Sequence, residues 1–162
     1  HRVRWSIDVS NLIFRRACAE DAATVAAITD AAYAKWVPVI GRKPKPMVAD
    51  YNAAIRVHLI EIAYLDDKAV GLIELIPAAE HLLLENIAID PAAQGRGIGR
   101  RLMQRVEEHA IEMNLPLVRL YTNKAFAANL DFYHRLGYAI EREEPYKEGF
   151  TVYFAKAIGK PA

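Results

Sequence analysis

The sequence predicts a mixed α/β (α+β) domain, in which helices cover both faces of one mostly antiparallel central sheet. Apolar residues recur at helical spacing in several segments and in short strand-like runs elsewhere. Two of these runs flank the dipeptide Asp66-Asp67, which predicts a hairpin. A strand, a helix and a strand then follow one another from residue 81 to residue 122, which adds a parallel pair. The predicted order is βααβββαβαββ, in a single domain over residues 1–162 with its core at about 11–158.

The first part of the chain predicts a strand and a helix, followed by a proline-rich loop. Residues 11–17 form the predicted strand, and residues 20–36 have helical spacing that begins with Glu20 and Asp21 at the positive end of the helix dipole. The helix is expected to bury Ala22, Val25, Ile28, Thr29 and Ala32. Residues 37–51 contain three prolines and a glycine, which predicts a loop with a second helix beginning near Met47.

The remaining elements follow in close succession. Residues 58–77 predict two strands that are joined by a tight turn at Asp66-Asp67. The later predicted elements are a strand at 81–90, a helix at about 97–114, a strand at 117–122, a helix at about 125–136, and strands at 137–144 and 150–157.

Composition excludes several classes of protein. The chain has 162 residues, of which 53% are apolar and 25% charged, as in an ordinary globular domain. A net charge of +1 gives no reason to expect nucleic acid or an anionic membrane as partner, and no apolar run is long enough to span a bilayer. The one cysteine, Cys18, excludes an internal disulfide, so we expect a cytoplasmic protein. We expect no signal peptide, and we interpret the start at His1 as processed or artificial.

Three glycines stand within five residues where the helix at 97–114 begins. This helix has an apolar stripe formed by Ile98, Leu102, Met103, Val106, Ala110 and Met113. About four N–H groups are unpaired at a helix start, where the dipole also favours an anion. Gly95, Gly97 and Gly99 therefore predict a loop that binds a phosphate or a pyrophosphate.

Three phosphate-binding motifs compete for this loop. The Walker motif requires Gly-Lys-Ser/Thr, whereas Arg100 and Arg101 follow Gly99. The dinucleotide motif requires glycine at its first, third and sixth positions, and counting from Gly95 puts Arg100 at the sixth. The third candidate is the pyrophosphate of coenzyme A, which rests on the family resemblance described next, and a ligand-free glycine loop is the structural alternative.

Two segments of the chain resemble motifs of one known family. Gln94-x-x-Gly97-x-Gly99, after "LENIAIDP" and before an amphipathic helix, resembles the acyl-CoA-binding motif of the GNAT superfamily of acyl-CoA-dependent N-acetyltransferases. The segment "NKAFAANLDFYHRLGY" resembles its later helix, which carries Asn and Tyr and ends in a Leu-Gly-aromatic turn. The predicted order of elements is similar to the GNAT fold over about residues 11–158. The resemblance implies a GNAT-like sheet and acetyl-CoA as cosubstrate.

The resemblance also implies which residues contact the cofactor. Backbone groups of a splayed strand would pair with the pantetheine arm, with the Ile87 N–H as oxyanion donor, and amides of the glycine loop would hold the pyrophosphate. Asn129 would bond the cofactor, and Tyr133 would protonate the leaving thiolate. From the residues alone, Asn129 bonded to nearby backbone and Tyr133 in the core is the alternative. The implied cofactor set is Ile87, Ala88, Ile89, Gln94, Gly95, Arg96, Gly97, Ile98, Gly99, Arg100, Asn129 and Tyr133.

Two glutamates are candidates for the general base that deprotonates the acceptor amine. Glu85 lies on an apolar strand, where a carboxylate is costly unless it is paired or used, and alternation places it on one face with His81, Leu83 and Ile87. An edge-exposed or salt-bridged Glu85 is the structural alternative, and Glu74 is the second candidate base. Some members of the family carry their glutamate two positions earlier, where this chain has Leu83.

Other residues are assigned to the acceptor, to packing or to the surface. Family resemblance places residues 33–51 at the acceptor, so Tyr33, Trp36 and Arg42 are candidate substrate-binding residues, with simple packing as the alternative. We expect Cys18 in the core. For Arg100, Arg101 and Arg105 we expect a solvated helix face, with a phosphate as the alternative partner of Arg100. His58, His81, His109 and His134 lack metal-ligand spacing, so we expect no metal.

The predicted function is acetyl-CoA-dependent acetylation of a primary amine on a small molecule or peptide, by direct transfer in a ternary complex. The alternative is a non-catalytic acyl-CoA-binding or regulatory domain. A longer acyl chain and assembly into a homodimer both remain open, and no nucleic acid or membrane partner is expected.

Overall fold

The computed structural model describes residues 9–159, and within that range seven strands form one sheet in the order β1-β2-β3-β4-β5-β7-β6. The N-terminal residues 1–8, including His1, and residues 160–162 lie outside the described range. The strands are β1 Ile13–Arg16, β2 Leu59–Leu65, β3 Lys68–Pro77, β4 His81–Ile89, β5 Leu117–Asn123, β6 Ala139–Tyr146 and β7 Gly149–Ala157. The helices are α1 Ala22–Tyr33, α2 Val37–Ile40, α3 Tyr51–Val57, α4 Ile98–Glu112 and α5 Ala127–Arg135. Neighbouring strands are antiparallel except β4 and β5, which confirms the mixed, mostly antiparallel sheet.

The segment predicted as a proline-rich loop is partly helical. Pro38 lies in the first turn of the one-turn helix α2, where a backbone N–H would have no hydrogen-bond partner within the helix, so its absence costs nothing. Gly41 ends that helix in the left-handed conformation with φ 72°. The next regular helix begins at Tyr51 rather than near Met47, because the Asp50 carboxylate caps it by accepting a hydrogen bond from the Ala53 N–H at 3.2 Å. Residues Lys45–Val48 form only a 3₁₀ turn.

The helices bury apolar faces on both sides of the sheet. α1 and α3 pack on one face, against a cluster that includes Ile60, Ile62 and Leu72. α4 and α5 pack on the other cluster. The tight turn at Asp66-Asp67 between β2 and β3 is sharp because both residues have positive φ values, of 49° and 64°. The predicted stripe of α4 is confirmed, because five of its members are at most 1% exposed: Ile98, Leu102, Met103, Val106 and Ala110. Its sixth member, Met113, follows the helix and is partly buried.

β4 departs from regular pairing on both of its edges. Its parallel pairing with β5 is confined to His81–Leu84 against Leu117–Leu120, so the two strands part beyond Leu84. On the other edge, Leu84 pairs with Leu75 and Asn86 with Glu74, which leaves Glu85 as the extra residue of a β-bulge.

The bulge changes which residues of β4 point toward α4 and which point toward α1, because the alternation shifts by one residue at Glu85. Leu82 and Leu84 belong to the cluster under α4, whereas Ala88 belongs to the cluster under α1 and Ile87 packs on the α4 side. The prediction that Glu85 and Ile87 share a strand face is therefore wrong. An inserted residue shifts the two-residue alternation by one, and no pattern in the strand itself marks the insertion.

Two surface expectations are also corrected. Arg105 is not a solvated residue, because it donates two hydrogen bonds to Glu61 at 2.9 and 3.1 Å, and His109 Nε2 lies 2.8 Å from the same carboxylate. Burial alone would raise the pKa of Glu61, but the hydrogen bonds from His109 and Arg105 outweigh it and hold this pKa at about 2. Cys18 is exposed rather than part of the core, with its Sγ 3.2 Å from Asp21 Oδ2. No helix of the described chain combines the length and apolarity that a bilayer crossing requires.

Candidate functional site

The parting of β4 and β5 opens a cleft at the centre of the sheet. A cavity of about 200 Å³ lies between the diverging strands and is closed by α1 and α5. The backbone segment 87–89 lies along one wall, and Tyr121 and Thr122 lie along the other. The sheet itself thus provides a slot into which an extended ligand could insert.

The cleft continues to the glycine-rich start of α4. A second cavity, of about 270 Å³, is lined by residues of the loop and by Arg100, and it shares Ile89, Gln94, Gly99 and Phe132 with the cleft. Gln94, Gly95, Arg96, Gly97 and Arg100 are exposed there, whereas the Ile98 side chain is buried beneath them.

The three glycines are required for two different reasons. Gly95 and Gly97 both have φ 78°, a left-handed conformation that other residues rarely adopt. Gly99 has a helical conformation, but a Cβ there would lie 3.1 Å from Ile89 Cδ1 and 3.3 Å from Phe132 Cζ. Glycine is therefore required by the conformation of the turn at Gly95 and Gly97, and by the close packing of α4 on β4 and α5 at Gly99.

α5 brings Asn129 and Tyr133 to the cleft, one helical turn apart. The Asn129 amide donates a hydrogen bond to Thr122 Oγ1 at 3.4 Å, a partner on β5 rather than in the local backbone. Tyr133 is 5% exposed and packs among the rings of Phe132, Tyr138 and Phe154. Burial raises the pKa of Tyr133, so its phenol keeps its proton at neutral pH.

A larger cavity, of about 570 Å³, opens on the other side of the parted strands. It lies between the segment 40–46, the start of β4, and strands β5 to β7. It shares five residues with the cleft: Tyr33, Glu85, Leu120, Tyr121 and Thr122. The two cavities therefore meet at the bulge.

Glu85 is located at this meeting point. Its side chain is 20% exposed and accepts a hydrogen bond of 2.6 Å from the Tyr121 hydroxyl. Lys45 Nζ lies 3.7 Å from the same carboxylate oxygen and donates a hydrogen bond to Tyr121 Oη at 3.4 Å. Burial, and then the Glu85 carboxylate, raise the pKa of Tyr121, which keeps this phenol a donor. Glu85 is thus paired and, at the same time, accessible from both cavities.

Tyr121 and Lys45 were not singled out from the sequence. Tyr121 is separated from Glu85 by 36 residues and reaches it because β5 lies beside β4. The one signal in the sequence is the alternation of "LVRLYTN", which places Tyr121 on the same partly buried strand face as Arg119, opposite the fully buried face of Leu120. Lys45 lies between two prolines and has no pattern that points inward.

Glu74 occupies a different environment from Glu85. It is 4% exposed, and its Oε2 lies 2.6 Å from His58 Nδ1. Burial raises the pKa of Glu74, and the contact with His58 offsets part of that effect. Glu74 lines a separate cavity of about 270 Å³ beside α3, which also reaches Glu85 and Asn86.

The three predicted acceptor residues lie at different places. The Tyr33 hydroxyl donates to the Ile87 carbonyl at 3.3 Å and borders both cavities. Trp36 stacks on Phe126 with ring centroids 4.4 Å apart and borders the cleft. Arg42 borders the larger cavity, with its guanidinium over the Tyr146 ring at 5.5 Å. Over residues 9–159, no three His, Cys, Asp or Glu side chains are grouped so as to hold a metal ion.

Comparison with known proteins identifies the family. The model of the acetyltransferase (GNAT) family matches residues 25–138, which is most of the chain. The uncharacterized protein YxbD of Bacillus subtilis (strain 168) is 34% identical over 77 residues, which cover 48% of this chain and 47% of that protein. Mycothiol acetyltransferase of Nocardia farcinica is 45% identical over 53 residues, covering 33% of this chain and 18% of that protein. The matches thus span about half the length of the first protein and under a fifth of the second.

A solved structure shares the fold. The PaiA N-acetyltransferase of Thermoplasma acidophilum, in complex with coenzyme A, superimposes with a TM-score of 0.70 at 19% identity, covering 90% of this chain and 98% of that one. Together with the family match, the parted strands and the glycine-rich helix start lead to one conclusion: this chain belongs to the GNAT family of acetyltransferases.

Proposed function

We propose that this protein transfers an acetyl group from acetyl-CoA to a primary amine of a small molecule or peptide, by direct transfer in a ternary complex. The supporting observation is that two cavities meet at Glu85 and Tyr121. One extends to the glycine-rich start of α4, and the other is wide and open. Two substrates that bind from opposite sides would bring their reacting groups together at this point.

The residues present are suited to coenzyme A. A Cβ at Gly95 would have no atom within 4 Å, and one at Gly97 would meet only a Val9 methyl at 3.9 Å, so there is room for phosphates beside open amides. We propose that Gln94 and the backbone from Gly95 to Arg100 hold the pyrophosphate. Ile87, Ala88, Ile89 and Asn129 would hold the pantetheine arm. Bound acetyl-CoA supplies an acyl group activated as a thioester.

An observed hydrogen bond to the Ile87 carbonyl supports the role of the Ile87 N–H as oxyanion donor. The Ile87 carbonyl accepts a hydrogen bond from Tyr33, which borders the cleft. In an antiparallel strand the N–H and C=O of one residue point toward the same edge. We therefore propose that the Ile87 N–H faces the cleft and stabilises the oxygen that becomes negative during acyl transfer.

We assign proton transfer to Glu85 and Tyr133. An alkylammonium with a pKa of about 10.4 must lose a proton before it can attack, and the Glu85 carboxylate faces the cavity where the amine would bind. Tyr121 holds this carboxylate in place through its 2.6 Å hydrogen bond. Tyr133 would donate its proton to the leaving sulfur. Glu74 is the second candidate base, but it lines a different cavity and is engaged by His58.

The proposal is tested by measuring thiol release from acetyl-CoA with a panel of amines. The panel contains amino acids, alkylamines, polyamines, aminoglycosides and peptide N-termini, and longer acyl-CoA donors test the chain length. We expect release above the hydrolytic background with at least one class of amine. Tight binding of acetyl-CoA without release for any amine would instead support a non-catalytic acyl-CoA-binding domain. A cytoplasmic setting is part of the proposal, since the lone Cys18 is compatible with a reducing compartment.

A further inference from the structure

The larger cavity carries more positive than negative charge. Among its lining residues within the described range, four are permanent cations and two are carboxylates: Arg42, Lys45, Arg119 and Arg142 against Glu85 and Glu141. We propose that the acceptor amine carries an acid group, a carboxylate or a phosphonate, which binds the Arg42 guanidinium while the amine faces Glu85. This inference rests on the proposed function and specifies the chemistry of its acceptor.

Three of the four cations are already close to a carboxylate. Arg119 donates two hydrogen bonds to Glu141, at 2.9 and 3.2 Å. Arg142 donates one to Glu144 at 2.7 Å and lies over the Tyr153 ring. Lys45 lies 3.7 Å from Glu85. Their charges are therefore largely compensated within the protein.

Arg42 differs from these three. Within residues 9–159 its contact is the face of Tyr146, 5.5 Å from the guanidinium carbon, with no carboxylate oxygen in ion-pair range. A ring face accepts no ordinary hydrogen bond, so the five N–H donors of the guanidinium remain for water or a ligand. Arg42 follows α2 and Tyr146 ends β6, so this contact joins two elements that line the cavity.

An acid-bearing amine suits this arrangement better than a simple cation. Because the other three cations are compensated, the unpaired charge of Arg42 decides the preference: it repels a polyamine or an aminoglycoside and attracts an acid group. The planar guanidinium presents two parallel N–H groups that match two oxygens of a carboxylate or phosphonate. The acid end would then orient the amine toward the carboxylate of Glu85.

The test compares acceptors that differ only in the acid group. Thiol release from acetyl-CoA is measured with ω-amino acids of increasing chain length, with the matching aminoalkylphosphonates, and with alkylamines of equal length. We expect higher kcat/KM for the acid-bearing amines than for the alkylamines. Whichever of the two acid series has the higher kcat/KM shows whether the preferred acid group is a carboxylate or a phosphonate. R42Q should raise KM for the acid-bearing amines by about 10- to 100-fold, the usual effect of losing a charge-assisted pair, and should not raise KM for alkylamines, which have no acid group for Arg42 to bind. R42K should restore part of the loss.

Controls and binding measurements make each outcome decisive. R56Q removes an exposed arginine of α3 that borders none of the cavities above, and it should change neither series. Equal or better turnover of alkylamines or polyamines would overturn the inference and leave the proposed function intact. If no amine is acetylated, the inference is tested by calorimetric titration of the acetyl-CoA-saturated protein with the acid-bearing amines and with the alkylamines. Binding of the acids that requires Arg42 supports the inference, and equally weak binding of acids and alkylamines overturns it.

Discussion

Tyr133 combines burial, a retained proton and a position on the cleft. Tyr133→Phe removes one oxygen and keeps the ring among Phe132, Tyr138 and Phe154. We expect acetyl-CoA affinity and stability to change little, while turnover falls by about 10²–10⁴-fold if chemistry limits the rate. The decrease should be smaller for a thioester with a more acidic thiol, which departs without help. A raised cofactor Kd with unchanged turnover would assign Tyr133 to binding.

Glu85 is the residue whose role depends most on its neighbours. Glu85→Gln keeps the size of the side chain but removes the proton acceptor, so we expect the largest loss of activity at low pH, where the amine is mostly protonated. Tyr121→Phe should have a smaller effect, because the carboxylate remains and only its 2.6 Å hydrogen bond is lost. Glu80→Gln, an exposed glutamate just before β4, is the control. A pH–rate profile unaltered by Glu85→Gln would direct attention to Glu74 or to water.

At the scale of elements, the start of α4 combines a turn requirement with a proposed anion site. Gly97 has φ 78°, so valine there would strain the backbone as well as obstruct a ligand. Gly97→Asn is the sharper test, because asparagine tolerates this conformation. We expect calorimetry to show weaker binding of coenzyme A with the fold retained. Gly137→Asn, at another left-handed glycine that follows α5, should leave affinity unchanged. Equal affinity in the Gly97 variant would place the phosphates elsewhere.

The contact between α4 and β2 predicts a pH dependence of stability. Arg105 and His109 on α4 hold the pKa of Glu61 on β2 at about 2, below the 4.5 of an ordinary glutamate, against the effect of burial. As the pH falls, the Glu61 carboxylate is therefore protonated in the unfolded chain at a higher pH than in the folded protein. The stabilisation, about 3 kcal/mol, is complete above about pH 5 and is lost as pH falls from about 4.5 to about 2.

Urea unfolding at a series of pH values measures this effect. Glu61→Gln should be less stable than the wild type at pH 7, and the difference should shrink through the same acidic window. Glu108→Gln is the control: it removes a 42% exposed carboxylate paired with Arg101 on the same helix, and it should retain the loss of stability through this window because Glu61 is unchanged. A wild-type protein whose free energy of unfolding stays constant between pH 5 and pH 2 would contradict the prediction.

For the whole molecule, the cleft is a gap in the central sheet that a ligand would bridge. β4 and β5 are hydrogen-bonded only near their starts, and the ligand cavity contacts both strands, α1 and α5. Coenzyme A at about 100 times its Kd should add about 2.7 kcal/mol to the free energy of unfolding. For a chain of this size that raises Tm by about 5–10 °C in a thermal melt. The adenosine fragment alone should give a smaller rise at equal concentration, and no rise with coenzyme A would contradict the proposed cofactor.

The sequence by itself determined the order of strands and helices, apart from the one-turn helix α2, and the apolar stripe of α4, because periods of two and 3.6 residues are local properties of the chain. It also located the glycine-rich helix start, since Gly95 and Gly97 are marked by residue type. Tertiary structure alone decided that Glu85 forms a bulge and that Tyr121 binds it across 36 residues. It likewise decided that Arg105 pairs with Glu61 across 44 residues. Such partners meet only when separate strands and helices pack together, so no spacing within either segment records them.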